Sequence, residues 1–295
     1  MNARTSPQPQ PRPQPLRAGS GVVASAIAAA AVVAMVVLLS GCTTNPVTGR
    51  SQLMLVSETA AIVASREAYV EMLAPARKEG RIDSDPRTKR RVQTITERVV
   101  AQAVRYRPET ADWDWEISVI DDPDTINAFA MAGGKMAIYT GIIDQLELSD
   151  DELAQIIGHE IAHALSAHSA EKMSIALASN LALATYAATG DRSDAAMTGA
   201  ALAALIAVQL PNSRQMEAEA DRIGIELAAR AGYRPEAAAT LWGKMAAKAG
   251  ARQPVFLSTH PAPASRQRDL TALAVQMQPL YEEARRRPIP THPVR

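Results

Sequence analysis

Hydrophobic positions along most of the chain recur at the three- and four-residue spacing of one buried helix face. Residues 58–73 and 85–104 follow this spacing and are predicted to be packing helices. Residues 173–190 and 195–213 contain no charged side chain, and each segment is long enough to span a bilayer. Because their Ala, Ser and Thr content makes them only weakly hydrophobic, we expect a helical hairpin over the core rather than membrane spans. The pattern predicts a mostly α-helical protein.

A different period marks a small sheet within this helical pattern. Apolar and polar residues alternate between residues 113 and 119, which is typical of a half-buried strand. Two short strand-like runs then flank Gly133 and Gly134 within residues 127–139, and this arrangement predicts a β-hairpin. Together the two periods predict an α+β fold with helices in the majority.

Composition limits the chemistry that the chain can carry. The 295 residues include 31 Lys plus Arg and 31 Asp plus Glu, so no excess of positive charge supports nucleic-acid binding. A single Cys excludes an internal disulfide and a Cys-rich metal finger. Any metal site must therefore use histidines and carboxylates.

The first residues have the parts of a secretory signal. Residues 1–20 are rich in Pro, Gln and Arg with no acidic residue, and an apolar stretch follows at 22–39. The segment that ends at Cys42 reads Leu-Ser-Gly-Cys and resembles a bacterial lipobox, which predicts cleavage after residue 41 and lipidation of Cys42. An uncleaved membrane anchor and an unmodified cysteine are the alternatives. The absence of Asp after Cys42 favours the outer membrane.

The remaining chain divides into three predicted segments. Residues 42–57 are polar and turn-rich at their start and are predicted to form a tether. Residues 58–284 carry the helical and strand patterns of the folded domain. Residues 285–295 begin with three arginines and a proline, and we expect this tail to lack fixed structure.

One predicted helix carries a metal-ligand spacing. Ser149 and Glu152 have the spacing of a capping box, which predicts a helix that begins there. Farther along, His159 and His163 are four residues apart, so both imidazoles can reach one ion from the same face. Glu160 lies beside them and is placed to take a proton from water instead of ligating, as in a zinc-dependent hydrolase. The alternative is a helix whose two histidines only hydrogen-bond to neighbours.

A catalytic zinc needs a third protein ligand and one open position. His168 is one position away from the third histidine of an extended motif, and we interpret it as a helix-end residue that satisfies terminal carbonyls. Residues 212–213 are predicted to cap a helix on which Glu217 and Asp221 share a face, whereas Glu219 points nearly opposite. We predict that Glu217 binds the metal and that Asp221 accepts the outer N–H of a ligating histidine. A solvated acidic face is the alternative.

Several motifs, in this order, together resemble family forty-eight of the metallopeptidases. They are residues 45–57, residues 127–134, the His159–His163 segment, and Glu217 with Asp221. The likeness runs from about residue 42 to about residue 270. The family includes CaaX prenyl proteases, a mitochondrial inner-membrane quality-control protease and bacterial periplasmic lipoproteins, and the chain looks closest to the last branch.

This resemblance implies a mostly helical gluzincin fold around one zinc ion. It assigns His159, His163 and Glu217 as ligands, Glu160 as general base and acid, and Asp221 as the partner behind a ligand. It also implies that a strand formed by Asn127, Ala128, Phe129 and Ala130 is an edge that faces the active site and pairs with an extended peptide. Simple core packing is the alternative for Phe129 and its neighbours.

A C-terminal segment resembles one that lies near the active site in relatives. It comprises residues 258–261, followed by Ser265 and Arg266. His260 could fill the open zinc position in a resting state, or could stabilise a developing oxyanion with Arg266. A loop histidine bonded to the backbone is the preferred interpretation, because no spacing rule places His260 near the metal.

The leading functional prediction is a zinc-dependent endopeptidase of the bacterial cell envelope. By resemblance, it would degrade misfolded or misassembled envelope proteins in the periplasm, bind unfolded or extended polypeptide, and be held to the membrane through Cys42. The alternative is a chaperone or assembly lipoprotein with a structural or vestigial metal site. An intramembrane CaaX-type protease is disfavoured by the lipobox and by too few spanning segments.

Overall fold

The computed structural model describes residues 42–188, 195–248, 254–260 and 265–295. The predicted secretory signal over residues 1–41 lies outside these residues. Within the described ranges, no helix combines the length and apolar character needed to cross a membrane.

Helices make up most of the described chain, as the hydrophobic pattern predicts. A short 3-10 helix, Pro108–Asp112, precedes the three-stranded sheet. The strands are β1 (Cys42–Thr44), β2 (Ser51–Leu53), β3 (Glu116–Ile120), β4 (Ala128–Met131) and β5 (Lys135–Tyr139). The α-helices are α1 (Glu58–Lys78), α2 (Pro86–Tyr106), α3 (Thr140–Gln145), α4 (Asp150–Leu165), α5 (His168–Ala188), α6 (Ala195–Arg230), α7 (Ala237–Lys248), α8 (Val255–Thr259) and α9 (Arg266–Arg285).

The three-stranded sheet has the order β3-β5-β4, with β5 in the centre. Strand β3 runs parallel to β5, whereas β4 and β5 form an antiparallel hairpin. Gly133 and Gly134 form its turn with φ angles of 78° and 80°, a region that glycine enters without steric cost. The predicted hairpin is therefore confirmed. The strand predicted over residues 113–119 is present only from Glu116, as β3. Its predicted half-buried character is wrong, because its residues from Ile117 onward are all buried.

The two edges of this sheet have different surroundings. Beside β3, the backbone of Arg295 exchanges hydrogen bonds with Trp115 and Ile117. The amide of His292 donates to Glu97, and Val294 is buried. The expectation that residues 285–295 lack fixed structure is thus wrong, because backbone pairing and apolar burial hold this segment. The edge of β4 faces α4.

Helices α4 and α6 cross where Gly158 of α4 packs against Gly224 of α6. A Cβ atom at Gly158 would lie 2.6 Å from the carbonyl oxygen of Gly224, and a Cβ atom at Gly224 would lie 2.7 Å from the amide nitrogen of His159. The two backbones are therefore in direct contact. The predicted capping box of α4 is present at Ser149 and Glu152. The predicted cap at residues 212–213 is wrong, because α6 continues through it from Ala195.

Strands β1 and β2 pair as an antiparallel hairpin, which we call the N-terminal hairpin (residues 42–53). Asn45 and Gln52 are buried, and both donate to the carbonyl of Ser166 at the end of α4. The predicted tether at residues 42–57 is therefore wrong for this part of the segment. Its polar residues form hydrogen bonds within the folded domain, which periodicity alone does not show.

Candidate metal centre

Four side chains from three helices and their ends converge at one buried point. His159 and His163 come from α4, Glu217 from α6, and His260 follows α8. One potential ligand atom from each residue lies within 4.8 Å of the other three, and all four residues are buried. The structure thus brings together the three ligands predicted from the sequence and adds His260 to them.

The spacing of these atoms fits a tetrahedral metal ion. The two Nε2 atoms of His159 and His163 are 3.0 Å apart, and they lie 3.3 and 3.4 Å from the carboxylate oxygens of Glu217. His260 Nδ1 is 3.2 Å from His159 Nε2 and 3.2 Å from both oxygens of Glu217. Ligands bound tetrahedrally to zinc at about 2.0–2.1 Å are themselves separated by about 3.3 Å. The donor set of imidazoles and one carboxylate also suits this ion.

The electrostatics of the centre favour a cation. Burial alone would raise the pKa of Glu217, but its interactions with His163, His159 and His260 hold that pKa well below its usual range. Burial lowers the pKa of His163 far below that of a free histidine, which leaves its imidazole neutral. For His159, burial is outweighed by hydrogen bonds to Asp221 and Glu217, which raise its pKa to about 9. A metal would compete with that proton, since histidine ligates only when neutral.

The outer nitrogen of His159 faces a carboxylate. His159 Nδ1 lies 3.1 Å from Asp221 Oδ1, the contact required for the role predicted for Asp221. Arg266 donates to Asp221 at 2.6 Å and to Glu217 at 3.2 Å, while its guanidinium lies 3.7 Å from the centroid of the Trp242 ring. Arg266 therefore holds the carboxylates of Glu217 and Asp221 in place.

Glu160 lies between the ligand cluster and the edge of the sheet. Its Oε2 accepts a hydrogen bond from the backbone N–H of Ala130 on β4 at 2.9 Å. Its Oε1 has no hydrogen-bond partner among the described residues and lies 3.3 Å from His260 Nε2. A groove runs here between Asn127–Ala130 and α4, with Lys172 at its side. One oxygen of the Glu160 carboxylate thus has no hydrogen bond within the described residues, and the group lies beside both the candidate ligands and the strand edge.

His260 is held in this cluster by ring stacking as well as by polar contacts. Its imidazole stacks on Phe256 with centroids 4.4 Å apart and planes inclined by 26°. The amide of Phe256 in turn donates to the carbonyl of Ile126, just before β4. The preferred interpretation of a loop histidine whose ring bonds to the backbone is wrong, because both ring nitrogens face Glu217, His159 or Glu160.

His168 does not satisfy helix-end carbonyls, so the interpretation made from the sequence is wrong. Its Nδ1 lies 2.8 Å from Nδ1 of His163, and its Nε2 lies 3.0 Å from Glu219 Oε2. The turn at Ala167, with a φ of 54°, separates α4 from α5 and places this ring against His163. Burial lowers the pKa of His168 and outweighs the opposing effect of Glu219, so this imidazole is neutral.

Comparison with known proteins places this site in a family. The model of peptidase family M48 matches residues 86–274, which include all four clustered residues. The chain belongs to peptidase family M48. Over 178 residues it is 35% identical to the mitochondrial metalloendopeptidase OMA1 of Saccharomyces cerevisiae, covering 58% of this chain and 50% of that protein.

A second relative is bacterial. The chain is 32% identical over 173 residues to the beta-barrel assembly-enhancing protease of Escherichia coli, covering 55% of this chain and 35% of that protein. OMA1 of Schizosaccharomyces pombe is 39% identical over 166 residues, which cover 54% of this chain and 47% of that protein. The chain thus spans about half, or less, of the length of these curated relatives. The M48 membership agrees with the resemblance inferred from the motifs.

Sequence reasoning missed the residues of this M48 chain that lie behind His163. His168 and Glu219 contact each other, and Thr48 and Arg50 of the N-terminal hairpin donate to Glu219 at 2.9 and 2.8 Å. Glu219 contacts the N-terminal hairpin, whereas Glu217 contacts His159 and His163. No periodicity within α6 indicates that the hairpin covers Glu219.

Proposed function

We propose that this chain is a zinc-dependent endopeptidase. The observation that carries the proposal is the convergence of His159, His163 and Glu217 beside Glu160, whose carboxylate also contacts the open edge of β4. A structural metal site has no use for a carboxylate base next to its ligands. Membership of peptidase family M48 and relatives named as metalloendopeptidases support the same activity.

The mechanism follows from what the side chains can do. A zinc ion held by the two imidazoles and Glu217 would act as a Lewis acid toward a scissile carbonyl and toward water. Glu160 accepts the proton of the attacking water at its free oxygen and delivers it to the leaving amine. His260 Nδ1 lies beside these donors and would hold the fourth position of such an ion, so a peptide would have to displace it to react. Asp221 keeps the proton of His159 on Nδ1 and so leaves Nε2 free to ligate.

An extended polypeptide is the substrate shape that fits the groove. Residues of β4 pair with β5 on one side only. Apart from the Ala130 N–H, which donates to Glu160, the N–H and C=O groups on the other side can pair with an added strand. Asn127 contributes a buried side-chain oxygen that has no partner in the described part of the chain. We infer that Asn127, Ala128, Phe129 and Ala130 bind unfolded segments by strand addition, which excludes natively folded proteins.

We further propose that the enzyme acts in the bacterial envelope on misfolded or misassembled proteins. The support is the lipobox at Cys42 and the relative from Escherichia coli, whose name refers to β-barrel assembly. Acyl chains on Cys42 would stabilise membrane attachment by about 0.8 kcal/mol per buried CH₂. Because Cys42 starts the N-terminal hairpin, this anchor would keep the catalytic domain close to the outer membrane. In a fractionation experiment, Cys42→Ser should move the protein from the membrane to the soluble fraction.

Casein cleavage and metal analysis of purified variants test the proposed activity. We expect the wild type to contain about one zinc ion and to cleave casein, as should the exposed control variant Glu236→Gln. Glu160→Gln should retain zinc and fold but lose cleavage, because the amide cannot accept the proton. Full activity in Glu160→Gln would remove this residue from the mechanism. Zinc binding without any cleavage by the wild type would instead favour the assembly or chaperone alternative.

A further inference from the structure

We propose that His168 and Glu219 are positioning residues that set the tautomer of His163, with the N-terminal hairpin holding Glu219 in place. The inference rests on the proposed function, since it takes His163 as a zinc ligand through Nε2. Three groups in line carry it, namely the imidazole of His163, the imidazole of His168 and the carboxylate of Glu219. The two contacts between them are 2.8 and 3.0 Å.

The direction of each hydrogen bond follows from the last member of this line. An ionised carboxylate only accepts hydrogen bonds, so the Nε2 of His168 must carry the proton that it donates to Glu219. The contact between the two Nδ1 atoms needs one donor and one acceptor, and with the His168 proton on Nε2, the Nδ1 of that ring has a lone pair to accept with. The only proton that can fill the 2.8 Å contact belongs to His163 Nδ1. His163 is thereby left with a free lone pair on Nε2, the atom that faces Glu217 and His159.

Glu219 is held as a carboxylate by the N-terminal hairpin. Its Oε1 accepts hydrogen bonds from Arg50 Nε and Thr48 Oγ1 at 2.8 and 2.9 Å. The same guanidinium donates to both oxygens of Glu171 on α5 at 2.9 and 2.6 Å. The salt bridge to Arg50 and the hydrogen bond from Thr48 favour the charged carboxylate form of Glu219. Glu219 is therefore an acceptor at the end of this line.

The hairpin also fixes the turn that carries His168. Asn45 and Gln52 donate to the carbonyl of Ser166 at 3.3 and 2.9 Å. The next residue, Ala167, has a φ of 54°, a conformation that costs an L-residue energy and needs support from its surroundings. Residues 42–53 thus determine both the position of the His168 ring and the charge of its acceptor. The two ligands of α4 therefore have separate outer partners, Asp221 for His159 and His168 for His163.

Two substitutions at His168 separate its hydrogen bond with His163 from its hydrogen bond with Glu219. Asparagine places its amide oxygen near the position of the imidazole Nδ1, so His168→Asn can still accept from His163 but does not reach Glu219. Glutamine places its amide near the position of Nε2, so His168→Gln can still donate to Glu219 but leaves His163 without an acceptor. A purely structural role, in which His168 only ties Glu219 to α5, predicts that glutamine is the better replacement.

Zinc affinity of the purified full chain, measured by competition with a chromophoric chelator, tests the proposal. We expect His168→Gln to bind zinc roughly 10- to 100-fold more weakly than the wild type, the usual effect of losing an outer partner of a ligand. His168→Asn should lose clearly less zinc affinity than His168→Gln. In addition, Glu219→Gln should weaken zinc binding in the wild-type background but not in the His168→Asn background, because the asparagine acceptor no longer depends on Glu219.

Circular dichroism and thermal unfolding of the zinc-free variants control for loss of fold. Equal losses in the two His168 variants, or a smaller loss for glutamine, would overturn the proposal while leaving the metal centre intact. The proposal would also be overturned if Glu219→Gln weakened zinc binding equally in the wild-type and His168→Asn backgrounds. A wild type that takes up no zinc would overturn the proposed function and this inference together.

Discussion

Adding a single methyl group where α4 meets α6 should weaken the candidate metal site without replacing any of its side chains. The backbones of the two helices are in contact at Gly158 and Gly224, next to His159 and two turns from Glu217. In Gly224→Ala the new Cβ atom would lie 2.7 Å from the amide nitrogen of His159 and 2.8 Å from its Cα atom. These are backbone atoms of a helix, so they cannot turn aside as a side chain can.

The required displacement follows from the same distances. Ordinary contact of a Cβ atom begins at 3.4 Å, so α4 and α6 must separate locally by about 0.7 Å. Metal–ligand distances tolerate only about 0.2 Å. Overpacking lowers the free energy of unfolding by about 1–3 kcal/mol, whereas the higher helix propensity of alanine raises it by about 1 kcal/mol. The free energy of unfolding should thus change little or fall modestly, whereas the distance between His159 and Glu217 increases beyond what one ion can bridge.

Zinc affinity of Gly224→Ala, measured by chelator competition, is the decisive assay. We expect a decrease of at least about tenfold, the lower range seen when ligand orientation is disturbed. Gly243→Ala on α7 is the matched control, because its Cβ would meet only the flexible end of Gln267, at 3.2 Å. That variant should bind zinc like the wild type. Wild-type affinity in Gly224→Ala would show that the close helix contact does not determine the ligand geometry.

Three other predictions test the site and its support. Glu217→Ala should lower the zinc content of the purified protein, and an unchanged stoichiometry would mean that another residue ligates. Burial alone would raise the pKa of the Glu152 carboxyl, but Lys244 and the hydrogen bonds of the helix cap lower it below its usual value. The ionised carboxylate therefore stabilises the folded state at pH values above the ordinary carboxyl pKa, and this stabilisation is lost as the pH falls. Urea unfolding should therefore show Glu152→Gln less stable than the wild type by about 1 kcal/mol at neutral pH, with a gap that narrows in acid; a constant gap would contradict this. Gly232→Ala should lower the unfolding midpoint, because a φ of 82° costs alanine about 1–2 kcal/mol and its Cβ would collide with Ile289; an unchanged midpoint would mean that the chain relaxes there.

Features that depend on one stretch of chain were predictable from the sequence. The capping box at Ser149 and Glu152 starts α4 as expected, and the helical repeat places His159 and His163 on one face. The paired glycines after β4 likewise predict the hairpin, because only glycine adopts their φ angles without strain. Each of these predictions uses atoms within a few residues of one another, for which backbone geometry alone is decisive.

Polar segments at both ends of the domain were the main source of error. Residues 42–57 and 285–295 lack an apolar period, so composition favoured a tether and a tail without fixed structure. In the structure Arg50 pairs with Glu171 and Glu219, and Arg295 pairs with the backbone of β3. Such segments are ordered by partners that lie far away in the sequence, and no local pattern reports those partners.

Helix periodicity was enough to predict that His159, Glu160 and His163 share one helix, and the spacing of Glu217 from Asp221 indicated Glu217 as a candidate third ligand. His260 lies 101 positions after His159, and it reaches the cluster through the packing of distant segments. The same packing places His168 and Glu219 behind His163. The physical reason is that a helix fixes the separation of its own residues, whereas contacts between helices depend on how closely their backbones can approach, here through Gly158 and Gly224.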